Sequence, residues 1–465
     1  MSVIRHPSTG TAVTVKQWRY TATGGETTLS GTDGFGLSLS YTVGAEEVYI
    51  NGVLLERAVD YTASTGTSIT GLTALVAGDI ATVMSANSFN VANAIPNSTV
   101  GAKGDLIVAN GAASVTNLAV GADGTTLVAN SSSATGVAWA GPASANPVLN
   151  SAFQIWQRGT SVAIAASNTA TYAADRWSIN TNANQAFTFS RQTTNDTTNL
   201  PFIQYCARVQ RNSGQTGTST MAVATSFETI NSIPFAGKTV TMSFYARAGA
   251  NYSATSNALA VYLQTGTGTD QNVLSGFTGQ AQPISQTATL TTTWQRFSYS
   301  ATLATSITQL APTFGFTPTG TAGTNDYFEV TGMQVDIGSV ALPFRTYAGT
   351  VQGELAACQR YFVRKSATAG TDAPIGTGVN NTSTSLAGVP ITMPVTMRTA
   401  PSFSLTGSPR AYDGSTAPTA SVATYGATVD GVSVSFTSSG LIAGRPGVIL
   451  APSAGTANYD FSAEL

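Results

Sequence analysis

The stretch "GAKGDLIVANGAASVTNLAVGADGTTLVAN", residues 101–130, states one phrase twice. Gly101-Ala102-Lys103-Gly104 opens a segment that closes on Val108-Ala109-Asn110, and Gly121-Ala122-Asp123-Gly124 opens another that closes on Val128-Ala129-Asn130. Each unit is a short apolar run between glycine turns. Fixing the backbone of one residue costs about 1–2 kcal/mol, which so thin a strand pair cannot recover inside a single chain. Three copies around an axis can, by burying Leu106, Val108, Leu118, Val120, Leu127 and Val128 against one another. The repeat predicts a trimeric neck over residues 91–145, and a flexible Gly/Ser linker is the alternative reading.

Nearly every other stretch reads as β. Thr, Val, Tyr and Phe alternate with polar residues in short runs punctuated by Gly or Asn-Gly. "VYINGVLL" (48–55) places Asn51-Gly52 between two apolar runs, a hairpin signal because both turn positions favour positive φ. "KTVTMSFYARA" (238–248) puts Val240, Met242, Phe244 and Ala246 on one face, and "FIQYCARVQR" does the same through Ile203, Tyr205, Ala207 and Val209. Helical spacing is brief, around Glu354–Phe362, where Leu355, Cys358 and Phe362 share a face. The expected fold class is all-β. A polar tail (1–16) precedes a small β-domain (17–90), the neck (91–145), a large β-sandwich (146–348) and a second β-domain (349–465).

Charge narrows the functions available. Charged residues are 9% of the 465, against a typical ~25%, so the surface is mostly Thr, Ser, Asn, Gln and Gly. A formal net charge of −2 and the lack of basic blocks argue against nucleic acid and anionic lipid as partners. The first residues have no signal-peptide shape, and no apolar run reaches the ~18 residues of a membrane span. Cytoplasmic synthesis is expected. Cys206 and Cys358 are expected to be separate structural thiols, with no metal-ligand spacing.

Catalytic chemistry finds few residues to use. The single histidine, His6, lies in the polar tail, so a Ser-His-Asp or Cys-His arrangement in the folded domains is ruled out. "GTGTDQN" (266–272) lacks the lysine and helix of a phosphate loop. Paired carboxylates remain the one enzymatic option. Asp326 and Glu329 in "NDYFEV" are three apart and face opposite sides of a strand, and Asp413 and Asp430 lie in one C-terminal stretch. No cofactor, metal or catalytic residue is expected.

Several segments are familiar in combination. "YTATGGETTLS…VYINGVLLERAVDYTAS…GDIATVM" resembles a small β-module near the N-terminus of bacteriophage tail fibres, and the 101–140 repeat resembles their neck. "NPVLNSAFQIWQRGTS…TYAADRWSI", with "TWQRFSYSA" and "DYFEVTGMQVDIGSVALPF", resembles a phage jelly-roll module related to carbohydrate-binding modules. "GELAACQRYF…MPVTMRTAPSFSLTG…SGLIAGRPGV…FSAEL" resembles a fibre-tip domain. The resemblance covers nearly all of residues 17–465. It implies a homotrimeric virion tail fibre, attached through residues 1–16 to tail or baseplate proteins and meeting a host surface polysaccharide with its C-terminal half. A depolymerase tailspike and a purely structural collar are the competing readings.

Sugars are held by flat aromatic faces and planar hydrogen-bonding groups. Trp156, Trp177 and Trp294 are expected in the core, and Asp175-Arg176 as a satisfied pair near a sheet edge. The turn-rich stretch 407–431 offers Arg410, Tyr412, Asp413 and Tyr425 as candidate receptor-binding residues, since loops on a rigid sheet concentrate binding groups. Tyr459 and Phe461 are expected in a closing strand.

Overall fold

A computed structural model describes residues 13–88, 95–121, 125–131, 133–140, 146–165, 169–181, 185–367, 371–383, 385–414, 416–419, 421–452 and 457–465. The chain divides into two compact units, Met1–Val100 and Gly101–Leu465.

In the first unit, β1 (Val13–Thr21), β2 (Leu29–Ser30), β3 (Glu46–Ile50), β4 (Val53–Leu54), β5 (Ser68–Ile69) and β6 (Ile80–Ser88) form a sheet in the order β1-β6-β3-β4 and a β2-β5 pair. The β3–β4 turn has Asn51 at φ 50° and Gly52 at φ 87°, as the Asn-Gly signal requires. Trp18, Val48, Ile69 and Val83 share the core. Residues 13–16, expected in the tail, instead begin β1, because its register against β6 continues to the Val13–Ser88 pair. The rest of the expected attachment segment lies outside the described residues.

The second unit opens with the repeat. β7 (Leu106–Gly111) pairs with β8 (Ser114–Leu118), and β9 (Thr126–Ala129) pairs with β10 (Val137–Ala140). Cross-strand partners share a face, so the Leu106–Leu118 and Val108–Thr116 pairs line one side of the first hairpin. Ile107 and Val115 fall on the other side. Leu106, Ile107, Val115, Val120 and Leu127 are all exposed in the single chain. Trp139 donates its indole N–H to Ala119 O at 2.7 Å. Its ring closes over Gly121, where a Cβ would come within 2.6 Å of it, so a glycine is needed at the start of the second phrase.

The sandwich follows. It contains β11 (Ser161–Ile164), β12 (Thr171–Tyr172), β13 (Ser178–Thr181), β14 (Phe187–Thr193), β15 (Tyr205–Arg211), β16 (Met221–Ala224), the short helix α1 (Thr229–Ser232), β17 (Thr239–Ala248), β18 (Ala258–Gly266), β19 (Ala281–Thr289), β20 (Gln295–Thr302), β21 (Gln309–Phe316) and β22 (Tyr327–Ile337). The first sheet runs β11-β14-β15-β22-β17-β20 and the second β12-β13-β16-β21-β18-β19, with antiparallel neighbours throughout. Their facing sides make one core, to which β17 contributes Val240, Met242, Phe244 and Ala246. Phe244 meets Phe314 of the opposite sheet edge-on at 4.8 Å. Trp156 and Trp177 are buried there as expected. Both cysteines are free and buried, and burial raises both thiol pKa values above the usual range.

The C-terminal domain begins with α2 (Val351–Gln359), whose N-cap Thr350 accepts from Gly353 N at 3.1 Å. Then come β23 (Phe362–Ser366), β24 (Ala373–Thr382), β25 (Ser385–Thr392), β26 (Ser402–Thr406), β27 (Arg410–Tyr412), β28 (Thr416–Thr419), β29 (Ser421–Thr428), β30 (Gly431–Thr437), β31 (Pro446–Ala451) and β32 (Asn458–Ser462). The order β23-β32-β26 packs on the order β28-β27-β31-β24-β25-β30-β29. Tyr459 and Phe461 are fully buried on β32, the middle strand of the smaller sheet, so the last strand does tie the terminus into the fold.

Motif residues clamp the sandwich to this domain. Asn150 is a hub: its amide joins Ile155 O and Asp175 O, and its backbone N–H donates to Glu354 of α2 at 2.5 Å. Burial raises the Glu354 pKa above the usual carboxylate range. Asp175 and Arg176 do not pair with each other. Arg176 sits at φ 69°, and the two neighbouring side chains part. Asp175 accepts from Gln157, while Arg176 bonds Glu464, donates to Ser226 O and covers the Tyr361 ring. Glu228 receives Arg360 Nε at 3.0 Å and the Tyr361 hydroxyl. Burial pushes the Glu228 pKa up, but these hydrogen bonds outweigh it and leave it lowered.

Candidate functional site

Strand β22 reads Tyr327-Phe328-Glu329-Val330. Phe328 and Val330 are in the core, so the two-residue period turns Tyr327 and Glu329 to the outer face of the first sheet. Register does the rest. Arg208 of β15 and Arg247 of β17 stand directly opposite Glu329, one on each side. Arg208 donates from Nε and Nη2 to Glu329 Oε1 at 2.8 and 2.6 Å, and Arg247 Nε donates to Oε2 at 2.5 Å. The Arg208 guanidinium covers the Tyr327 ring at 3.9 Å, and that of Arg247 lies 4.8 Å from the Trp294 ring centre.

This arrangement is rigid. Glu329 is fully buried and shares one carboxylate between two guanidiniums, each with a side chain 22% exposed. Five N–H donors belong to each guanidinium; Arg208 uses two nitrogens on Glu329 and Arg247 one, and stacking fixes the plane of the rest. The surface can therefore offer oriented N–H groups, with the half-buried Tyr327 ring under Arg208 and the buried Trp294 ring under Arg247. Glu329 is poorly suited to general acid–base work, because both its oxygens are engaged. Asp326 is remote in function as well as face: it pairs with the fully buried Arg211 at 2.7 Å and accepts from Ser253. The two carboxylates lie on opposite sides of the strand, as their spacing requires.

The C-terminal candidates are placed less uniformly. Arg410 and Tyr412 stand exposed on β27, with Arg410 3.8 Å from Asp372. Asp413, expected in an open loop, is buried instead, because its carboxylate holds together two other segments by accepting from Asn380 Nδ2 at 2.7 Å and Ile442 N at 2.8 Å. The Tyr425 side chain lies outside the described residues. Asp430 sits at the β29–β30 turn and accepts from Thr396, so β31, β24 and β25 intervene between it and the Asp413 strand.

A cavity of about 580 Å³ lies between α1 and α2, with Phe227, Phe235 and Ile337 among its apolar lining. Its charged floor, Arg176, Glu228 and Arg360, is occupied in clamping the C-terminal domain. Among the described residues, no cluster of three His, Cys, Asp or Glu side chains could hold a metal ion, and no helix is long and apolar enough to cross a membrane.

Sequence reading missed Arg208 and Arg247. The available signal was the arginine at matching polar positions of "YCARVQR" and "FYARAG", unusual in a chain with so few charges. What could not be read was the pairing of β15 and β17 on either side of β22.

No family model and no curated protein matches the chain. Among solved structures, a chain described as CBM4 aligns with 41% of this one and 98% of itself, at 15% identity and a TM-score of 0.24. The enzymatically active domain of tailspike protein 4 from bacteriophage CBA120 aligns over 42% of this chain and 21% of its own, at 9% identity and 0.24. The C-terminal family 22 carbohydrate binding module of Clostridium thermocellum Xyn10B aligns over 38% and 100%, at 12% identity and 0.23. These partial likenesses carry no function across.

Proposed function

We propose that the chain is a subunit of a homotrimeric bacteriophage tail fibre that attaches the particle to a host surface polysaccharide without cleaving it. The observation that carries the reading is the Arg208–Glu329–Arg247 row over Tyr327 and Trp294. Saccharide hydroxyls and carboxylates are recognised by planar donors held in place, and sugar faces by aromatic rings. Here the planar donors are fixed on a sheet before any ligand arrives, Arg208 by stacking on Tyr327 and Arg247 by stacking on the buried Trp294, so little ordering entropy is lost on binding. Arg410 and Tyr412, both exposed on β27, form an auxiliary contact.

The neck supports the trimer. Its first hairpin exposes apolar side chains on both faces, Leu106 on one and Ile107 and Val115 on the other. A single two-stranded hairpin is marginal in water; association along an axis covers these residues.

The test uses the full chain and an array of purified bacterial lipopolysaccharides and capsular polysaccharides. The wild type should bind some members and leave their chain length unchanged, and it should block phage adsorption in competition. Arg247→Ala, which leaves Arg208 to neutralise Glu329, should weaken binding at least tenfold. Shortened polysaccharide would establish a depolymerase instead, and binding indifferent to Arg247→Ala would remove this surface from the reading.

A further inference from the structure

The loop between β14 and β15 runs beside the arginine row and exposes an aromatic ring. Phe202 is 89% exposed, although Leu200 and Ile203 of the same loop are buried against Ala152, Cys206 and Trp294. Leaving a phenyl ring in water forgoes the stabilisation that its burial would give. The exposure is not the result of a slack loop. Thr194 Oγ1 donates to Ile203 O at 2.8 Å and Thr194 N to Gln204 O at 3.0 Å, closing its base. Asp196 accepts from Thr198 N, Asn199 N and Asn199 Nδ2 at 2.8–2.9 Å, fixing its turn. Trp294, the ring under Arg247, donates its N–H to Thr194 O at 3.1 Å and so ties this loop to the arginine row.

Next to the ring lies a cavity of about 420 Å³, within the range of small-ligand pockets. Phe202 and Pro201 supply its flat apolar surface, and Asn195, Thr197 and Gln204 supply amide and hydroxyl groups. An acyl chain would find too many polar groups here, and an anion would find no cation in the lining. A neutral sugar ring, with one apolar face and a rim of hydroxyls, matches both halves of the lining.

We infer that residues 193–204 form a saccharide subsite in which Phe202 stacks on a neutral sugar ring, next to the unit held by Arg208 and Arg247. The inference rests on the polysaccharide-binding reading above and adds to it a position and a sugar class.

Phe202→Ala and Phe202→Trp in the full chain, titrated with the polysaccharide that binds wild type most tightly, test it. Phe202→Ala should weaken binding roughly 3- to 10-fold, the scale of one aromatic contact, with melting temperature and molecular mass unchanged. Phe202→Trp should bind at least as well as wild type. If Arg247→Ala loses affinity while Phe202→Ala binds like wild type, the subsite is wrong and the arginine surface stands. If Phe202→Ala lowers the oligomeric mass, the ring is a subunit contact and the subsite is again wrong. If wild type binds no polysaccharide, both fall, and that arm alone identifies the shared failure.

Discussion

Replacing Glu464 tests whether the C-terminus fastens the C-terminal domain to the sandwich. Glu464 bonds Arg176 and reaches Arg158 at 3.3 Å, and the Arg176 and Glu464 side chains are only 2% and 6% exposed. Arg176 also donates to Ser226 O at 2.6 Å and covers the Tyr361 ring at 3.6 Å. Glu464→Ala strands the Arg176 guanidinium in a dry seam, and breaking a buried pair from one side costs about 3–5 kcal/mol. Adding Arg176→Met removes the more deeply buried of the two arginines that Glu464 serves and leaves only Arg158, 13% exposed, without its carboxylate, so the double variant should be less destabilised than the sum of the singles. Urea denaturation followed by tryptophan fluorescence gives the shift, since Trp156, Trp177 and Trp294 all lie in the sandwich. Limited proteolysis gives the location: Glu464→Ala should release the C-terminal domain sooner than wild type. A shift below about 1 kcal/mol, or strictly additive singles, would show that the terminus is not a fastener.

Leu118→Asp places a carboxylate on the apolar face shared with Leu106 and should abolish the proposed trimer by light scattering, with sandwich and C-terminal domain still folded; an unchanged trimeric mass would refute the neck assignment. In the first unit, Glu26 is held at about 2, below the usual 4.5, by the Thr23 hydroxyl and then the Thr23 backbone N–H, with Gly24 N adding to them. A depressed carboxylate stabilises above its unfolded pKa, so this contribution is complete above about pH 4.5 and is lost as pH falls toward 2. Carboxyl-detected NMR titration should place Glu26 at the low end of that window, and Glu26→Gln should flatten the acid limb of the melting curve.

The strands were legible because their signals are local. Alternation in "KTVTMSFYARA" and the Asn51-Gly52 turn depend only on neighbouring residues, and both appear as read. Side-chain destinations depended on long-range register. Asp413 sits in a turn-rich stretch and looked solvated, yet its partners Asn380 and Ile442 come from strands and turns about 30 residues to either side. Arg176 looked matched to its neighbour Asp175, while its partner is almost the last residue of the chain. The arginine row likewise joins residues about 80 and 120 positions from Glu329. Composition reports that such charges are few; it cannot say which ones meet.

The scarcity of charge and the placement of the site are connected. Among the described residues every ion pair uses arginine, the cation whose planar fork can hold a carboxylate and a ring at once. Arg176, Arg360 and Arg398 join the sandwich to the C-terminal domain, and Arg211 pins Asp326 inside the sandwich. Shielded pairs are screened by salt far less than exposed ones. A surface otherwise made of hydroxyls and amides has no long-range field with which to steer a partner, so the proposed polysaccharide contact would rest on short-range geometry. Arg208 and Arg247 differ from the fastening arginines in that both pair with one carboxylate of their own sheet and join no second domain. Each stacks on an aromatic ring while Glu329 is buried beneath both, so it is the guanidinium edges of these side chains, each 22% exposed, that the proposed polysaccharide would meet.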